Sequence, residues 1–185
     1  MEKKKLSPIG QIVRDIVMAL VDFPEDVEVA ELIGGQVTVF EVLVRQSDHG
    51  KVIGRGGRLI EAVRRFLNCC AGRDARIYRV DLLEDSIDPA RRHELSTHPS
   101  HTEDPVQAES LLLLRMVQAL VDEPKTVVVT PLAGTQSAVF EVEVARDDVR
   151  RVLGRRGATA DALRELTLSM GARANRRYIL QILEP

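Results

Sequence analysis

The chain has 185 residues, 44% of them hydrophobic and 29% charged, and its formal net charge is -2. These values describe an ordinary soluble protein of one large domain or two small ones, and they exclude a disordered or membrane-embedded chain. Aromatic residues make up only 3% and Trp is absent, so any core must be built of Val, Leu, Ile and Ala; with no global positive field, attraction for nucleic acid must come from local clusters of charge.

The N-terminus, "MEKKKLSPIGQIVRDIVMAL", begins with lysines as a signal peptide does, but Arg14 and Asp15 interrupt the apolar run and no small-residue cleavage site follows. Residues 1–8 read as a solvated tail. In "IGQIVRDIVMALV", residues Ile9, Val13, Ile16, Val17, Leu20 and Val21 fall at helical spacing, and Asp22 with Pro24 ends the helix. "VEVAELIGGQVTVFEVLV" alternates apolar and polar residues on both sides of Gly34 and Gly35, which predicts a two-stranded hairpin. A short helix around Asp48 to Ile53 leads into a glycine loop, a second helix carries the stripe Leu59, Ile60, Val63, Phe66 and Leu67, and "RIYRVDLLE" closes the unit as a third strand. Cys69 and Cys70 are adjacent, a spacing unsuited to an unstrained disulfide, and read as packing residues on that helix.

Sliding the chain against itself by 100 residues gives identity at roughly two positions in five from residue 19 to 84, without a gap. "ALVDFPEDVEV" answers to "ALVDEPKTVVV", "VFEVLV" to "VFEVEV", and "KVIGRGG" at 51–57 to "RVLGRRG" at 151–157. The second copy predicts the same elements: "LLLLRMVQALV" helix, "TVVVTPLAGTQSAVFEVEV" hairpin, "VRRVLG" helix, "ATADALRELTLSM" helix and "RYILQIL" strand. The expected fold is α+β, two tandem α-β-β-α-α-β domains over residues 9–85 and 105–185, each with its helices on one face of a three-stranded sheet. Residues 86–104, rich in Pro, Ser, Thr and His, read as a linker long enough to let the domains sit side by side or act apart. His93, His98 and His101 lie there without the fixed scaffold a zinc site needs, so no metal is expected. The stretch "SLLLLRMVQALVDEP" is too short and too polar to span a bilayer, and the expected location is the cytoplasm.

The glycine loops are the candidate site. Gly54 and Gly57, and likewise Gly154 and Gly157, permit a tight turn and leave no side chain to hold a ligand's backbone away. A helix starts immediately after each loop, so free N–H groups and a positive dipole end face whatever lies there. Arg55, beside Gly56, fills the first loop, and Arg155 and Arg156 fill the second; each guanidinium can grip a phosphate through two hydrogen bonds. Arg45, Lys51, Arg58, Arg64 and Arg65 surround one loop and Arg146, Arg150, Arg151 and Arg164 the other, while acidic residues gather elsewhere, in Asp22 to Glu31. Asp22 and Asp122 precede a proline at a helix end and are explained by turn-making.

Taken together, the element order, "PEDVEV", "FEV", "VIGRGG" and "ALR" resemble a type II KH domain, and each half is similar to the small bacterial KhpA-type KH proteins. The resemblance covers nearly the whole chain. It implies a clamp for about four nucleotides of single-stranded RNA, with the Gly-x-x-Gly loop on the sugar-phosphate backbone. It also implies an aliphatic groove for the bases, here Val52, Ile53 and Ile60 in one copy and Val152, Leu153 and Ala160 in the other, next to Arg58 and Ala158. Such a groove needs few aromatic residues, which suits this composition and argues against modules that stack bases on aromatic rings. Proteins of this kind carry one KH unit and pair with themselves or with another KH protein; in a fused pair the two copies can satisfy each other. RNA chaperoning, ribosome assembly and post-transcriptional control are the processes consistent with the resemblance.

Other classes fit less well. A P-loop needs Lys and Ser or Thr after its second glycine, which neither "GRGGRL" nor "GRRGAT" supplies, and a dinucleotide site needs its glycines after a strand. Apart from the loops and arginines, the recurring polar positions singled out are Asp22/Asp122 and Glu41/Glu141, with no nucleophile and base among them, so neither catalysis, a cofactor nor a small-molecule substrate is expected. A protein-protein adaptor built on the same fold is the alternative, and salt separates the two, since phosphate contacts weaken steeply as salt rises.

Overall fold

The computed structural model describes residues 6–74, 76–83 and 105–183, and the linker histidines lie outside them. Helix α1 (Pro8–Leu20) starts where Ser7 Oγ accepts a hydrogen bond from the Gly10 N–H at 3.1 Å and Pro8 presets the first turn. Its stripe of Ile12, Val13, Ile16, Val17 and Leu20 is buried. A 3-10 turn at Pro24–Asp26 then leads into β1 (Glu28–Ile33) and β2 (Val37–Leu43), which pair antiparallel from Glu28↔Leu43 to Ile33↔Thr38. At the hairpin the Gly34 N–H donates to the Val37 carbonyl at 2.8 Å, an approach that leaves no room for a larger residue at Gly34.

Next come α2 (His49–Ile53), α3 (Arg58–Asp74) and β3 (Ile77–Leu83), the last lying parallel to β2. The sheet order is β1-β2-β3, and alternation along β2 turns Thr38, Phe40 and Val42 toward the helices. The second repeat copies this plan with α4 (Pro105–Gln118), β4 (Val128–Ala133), β5 (Ser137–Glu143), α5 (Val149–Leu153), α6 (Ala158–Arg173) and β6 (Arg177–Ile182). Pro131, which lacks an N–H, is tolerated because β4 lies at the edge of its sheet. Helix α4 begins six residues before the apolar run that predicted it, because Val106 and Ser110 are buried as well.

The repeats pack side by side. Helix α3 packs on α6 and α1 on α4, and the buried apolar residues of both halves form one continuous cluster. Arg115 Nη2 meets Asp15 Oδ2 at 2.7 Å, and Arg173 Nη1 donates to the Met18 carbonyl at 2.7 Å. Cys70 is buried as expected, whereas Cys69 is only half-buried and lies on the seam, its Sγ 3.0 Å from Thr159 Oγ1. Near the other end of α3, Arg58 Nε is 3.9 Å from Glu165 Oε1. As residue numbers rise along α3 its neighbours' numbers fall along α6, so the helices run antiparallel and the two glycine loops lie at opposite ends of the pair. The eleven residues from Arg58 to Cys69 put that offset at about 16 Å along the axis.

Candidate nucleic-acid interface

Each loop is folded by glycines that no other residue could replace without strain. Gly54 ends α2 with φ 71° and ψ 172°, and Gly154 ends α5 with φ 72° and ψ 176°, a region open in practice to glycine alone. A Cβ on Gly54 would lie 2.5 Å from Leu59 Cβ, and one on Gly154 would overlap Thr159 Oγ1. The Gly57 and Gly157 N–H groups turn back to the Gly54 and Gly154 carbonyls at 3.1 and 3.2 Å, and α3 and α6 start on the next residue. No side chain caps α6, whose first-turn N–H groups point out beside the loop.

The third loop position is left-handed in both repeats. In the first it is Gly56 (φ 64°, ψ 25°); in the second it is Arg156 (φ 57°, ψ 28°). Arg55, Arg155 and Arg156 are exposed, and among the described residues no hydrogen bond or ion pair holds their guanidinium groups.

Several of the surrounding basic residues are held by carboxylates. Lys51 Nζ pairs with Asp22 and lies 3.0 Å from Asp48 Oδ1; Arg151 Nη2 pairs with Asp122 Oδ2 at 2.5 Å, and its Nε is 3.6 Å from Asp148 Oδ1. Arg45 meets Asp26 at 2.6 Å and stacks on Phe23, Arg65 lies 3.5 Å from Glu61, and Arg164 lies 3.0 Å from Asp161. The acidic stretch from Asp22 to Glu31 is therefore not remote from the basic cluster, since the turn after α1 lays Asp22 and Asp26 against it. Asp22 and Asp122 do more than shape that turn.

Two functional positions escaped the sequence reading. Asp48 and Asp148 are buried, and their carboxylates accept the backbone N–H groups of Asp22 and Phe23 at 3.1 Å, and of Asp122 and Glu123 at 2.9 and 3.0 Å. Both therefore tie the turn after the first helix of each repeat to the helix that carries its loop. Their exact recurrence at an offset of 100 residues was the available signal. Burial alone would raise the Asp48 carboxyl, but the Lys51 ammonium and the two N–H groups prevail and hold it below the usual aspartate value of 3.8. Hydrogen bonds to Asp22 and Asp48 raise Lys51 in turn.

The aliphatic groove needs correction. Val52, Val152 and Ala160 are 1%, 0% and 0% exposed, because the faces of α2, α5 and α6 that carry them close the core. They support the site from beneath and present no surface to a base. Ile53 is exposed, and Leu153, Ile60 and Ala158 are half-buried, so these four are the apolar surface beside the loops.

A three-stranded sheet with one parallel pair, covered on one face by three helices and carrying Gly-x-x-Gly between two of them, defines the type II KH class twice over. The family model described as the KhpA/KhpB KH domain matches residues 10–82 and again 110–182, and the chain belongs to that family. RNA-binding protein KhpA of Listeria monocytogenes is 36% identical over 73 residues, 40% of this chain and 96% of that protein. RNA-binding protein KhpA of Caldanaerobacter subterraneus is 37% identical over 75 residues, covering 40% of this chain and all of that protein, and its Borreliella burgdorferi namesake is 36% identical over 74 residues, covering 40% and 90%. Each relative thus corresponds to a single repeat.

Proposed function

We propose that this chain binds single-stranded RNA through its two Gly-x-x-Gly loops, with little sequence specificity. The observation that carries the reading is the pair of exposed loops in which Arg55, Arg155 and Arg156 hold no protein partner among the described residues while glycine geometry brings helix N–H groups to the same surface. The named relatives are RNA-binding proteins, which supports RNA as the ligand. Ile53, Leu153, Ile60 and Ala158 give bases a mainly aliphatic surface with few donors or acceptors, which favours contact over discrimination. Two modest sites on one body gain affinity when one strand reaches both. The α3–α6 seam already covers one face of each repeat, so self-association is not needed to complete the fold.

A second reading rests on the outer sheet faces, where Leu32, Ile77, Val128 and Leu132 are about half exposed and suit a protein partner. Fluorescence anisotropy of a labelled single-stranded RNA at two salt concentrations separates the readings. The wild type is expected to bind and to weaken by about tenfold or more between 50 and 200 mM salt. A variant with Arg55, Gly56, Arg155 and Arg156 all changed to Asp is expected to lose binding. Equal behaviour of the two proteins would move the function to the sheet face.

A further inference from the structure

The repeats do not surround their loops with the same charge. Residues 49–58 carry Lys51, Arg55 and Arg58, while 149–158 carry Arg150, Arg151, Arg155 and Arg156. Lys51 and Arg151 are held alike by two carboxylates each, which leaves the second loop richer in cations.

The seam widens that difference. Because α3 and α6 are antiparallel, the start of each loop-bearing helix lies against the other repeat's helix, α3 at Glu165 and α6 near Cys69. Beside the first loop that neighbour is acidic, Glu165, 3.9 Å from Arg58. Under the hundred-residue offset the matching positions are Ala158 and Arg65, so the same packing, carried over by the repeat symmetry, would turn a guanidinium toward the second loop where the first has a carboxylate. The contact of Cys69 Sγ with Thr159 Oγ1 at 3.0 Å independently fixes this end of α6 against α3, one turn from Arg65 and one residue from Ala158. Arg65 is exposed, and its 3.5 Å contact with Glu61 is a surface pair worth little, so a phosphate can draw the guanidinium away.

We propose that the second loop is the dominant phosphate clamp and is a composite site completed by Arg65 of the first repeat, while Glu165 of the second repeat holds the first loop to weaker binding. The proposal rests on the RNA-binding reading and adds which loop leads and why. Fusion of two diverged repeats is what makes the arrangement possible, since in a symmetric pair both loops would receive the same neighbour.

The test uses the full chain and a labelled oligouridylate of about four nucleotides, the length one loop holds. The first loop is disabled by Arg55→Asp with Gly56→Asp, the second by Arg155→Asp with Arg156→Asp, and thermal unfolding checks that every variant remains folded. Disabling the second loop is expected to weaken binding by about tenfold or more, and disabling the first by about twofold. Arg65→Gln is expected to cost about two- to fivefold when the second loop is the one intact and nothing when it is disabled. Glu165→Gln is expected to strengthen binding by a similar factor when only the first loop is intact. Equal losses from the two loops, or an Arg65→Gln effect that is the same in both backgrounds, would overturn the proposal. Absence of binding by the wild type, or binding untouched by either loop variant, would overturn the RNA reading and the proposal with it.

Discussion

Arg156 holds a left-handed backbone that its counterpart Gly56 adopts freely. For a residue with a Cβ that conformation costs about 1–2 kcal/mol, and among the described residues none bonds the guanidinium to offset it. Strain kept at an exposed position is what a ligand contact would explain. Arg156→Gly is therefore expected to raise stability by up to about 1 kcal/mol, part of the relief being offset by glycine's freer unfolded state, while weakening RNA binding. Denaturant unfolding beside a binding titration reads both, and a variant that is neither more stable nor a weaker binder would count against a functional role. Single residues of this kind were legible in the sequence as far as their type allowed: the loop glycines and arginines announce themselves. Val52, Val152 and Ala160 do not, because an aliphatic residue beside a loop looks the same whether it faces solvent or core.

At the scale of elements, α2 and its loop stay in place because Asp48 pins the turn after α1. Its carboxyl is held below 3.8, so the stability it contributes is present above the unfolded value and is lost as pH falls through the lower, folded one. Lys51 is shifted the opposite way, above 10.5, and its contribution persists at neutral pH and is lost only as pH rises past its raised value. Asp48→Asn is expected to cost about 1–3 kcal/mol at pH 7, with the gap to wild type closing as pH falls below about 4. Urea unfolding at a series of pH values checks this; a gap that did not change with pH would contradict the ionic role. The helices, hairpins and closing strands were readable because periodicity and turn residues are local. The tie from Asp48 back to residues 22 and 23 was not, since it joins chain segments about 25 residues apart through backbone groups that carry no sequence signal.

For the whole molecule, the hundred-residue repeat disclosed two domains, but not that they share one core. A partial clue lay in α6, where buried positions include Thr159, Ala160, Leu163, Thr167 and Met170, too many for a helix covered on one side. Thr167 tolerates burial because its hydroxyl donates to the Leu163 carbonyl at 2.7 Å, yet as a polar residue type it does not mark an apolar face in the sequence. A shared core predicts that the repeats unfold together: calorimetry is expected to show one transition with equal calorimetric and van't Hoff enthalpies, and two separate transitions would contradict the seam. The seam also fixes the loops at opposite ends of the α3–α6 pair, so RNA that engages both must cross that pair. Binding of RNA at the glycine loops is the proposal on which the rest depends. Proton-nitrogen correlation spectra of the full chain, titrated with a short single-stranded RNA, test it most directly. The largest amide shifts are expected at Gly54–Arg58 and Gly154–Ala158; shifts centred on the outer sheet face at Leu32 and Leu132, with both loops silent, would contradict binding at the loops.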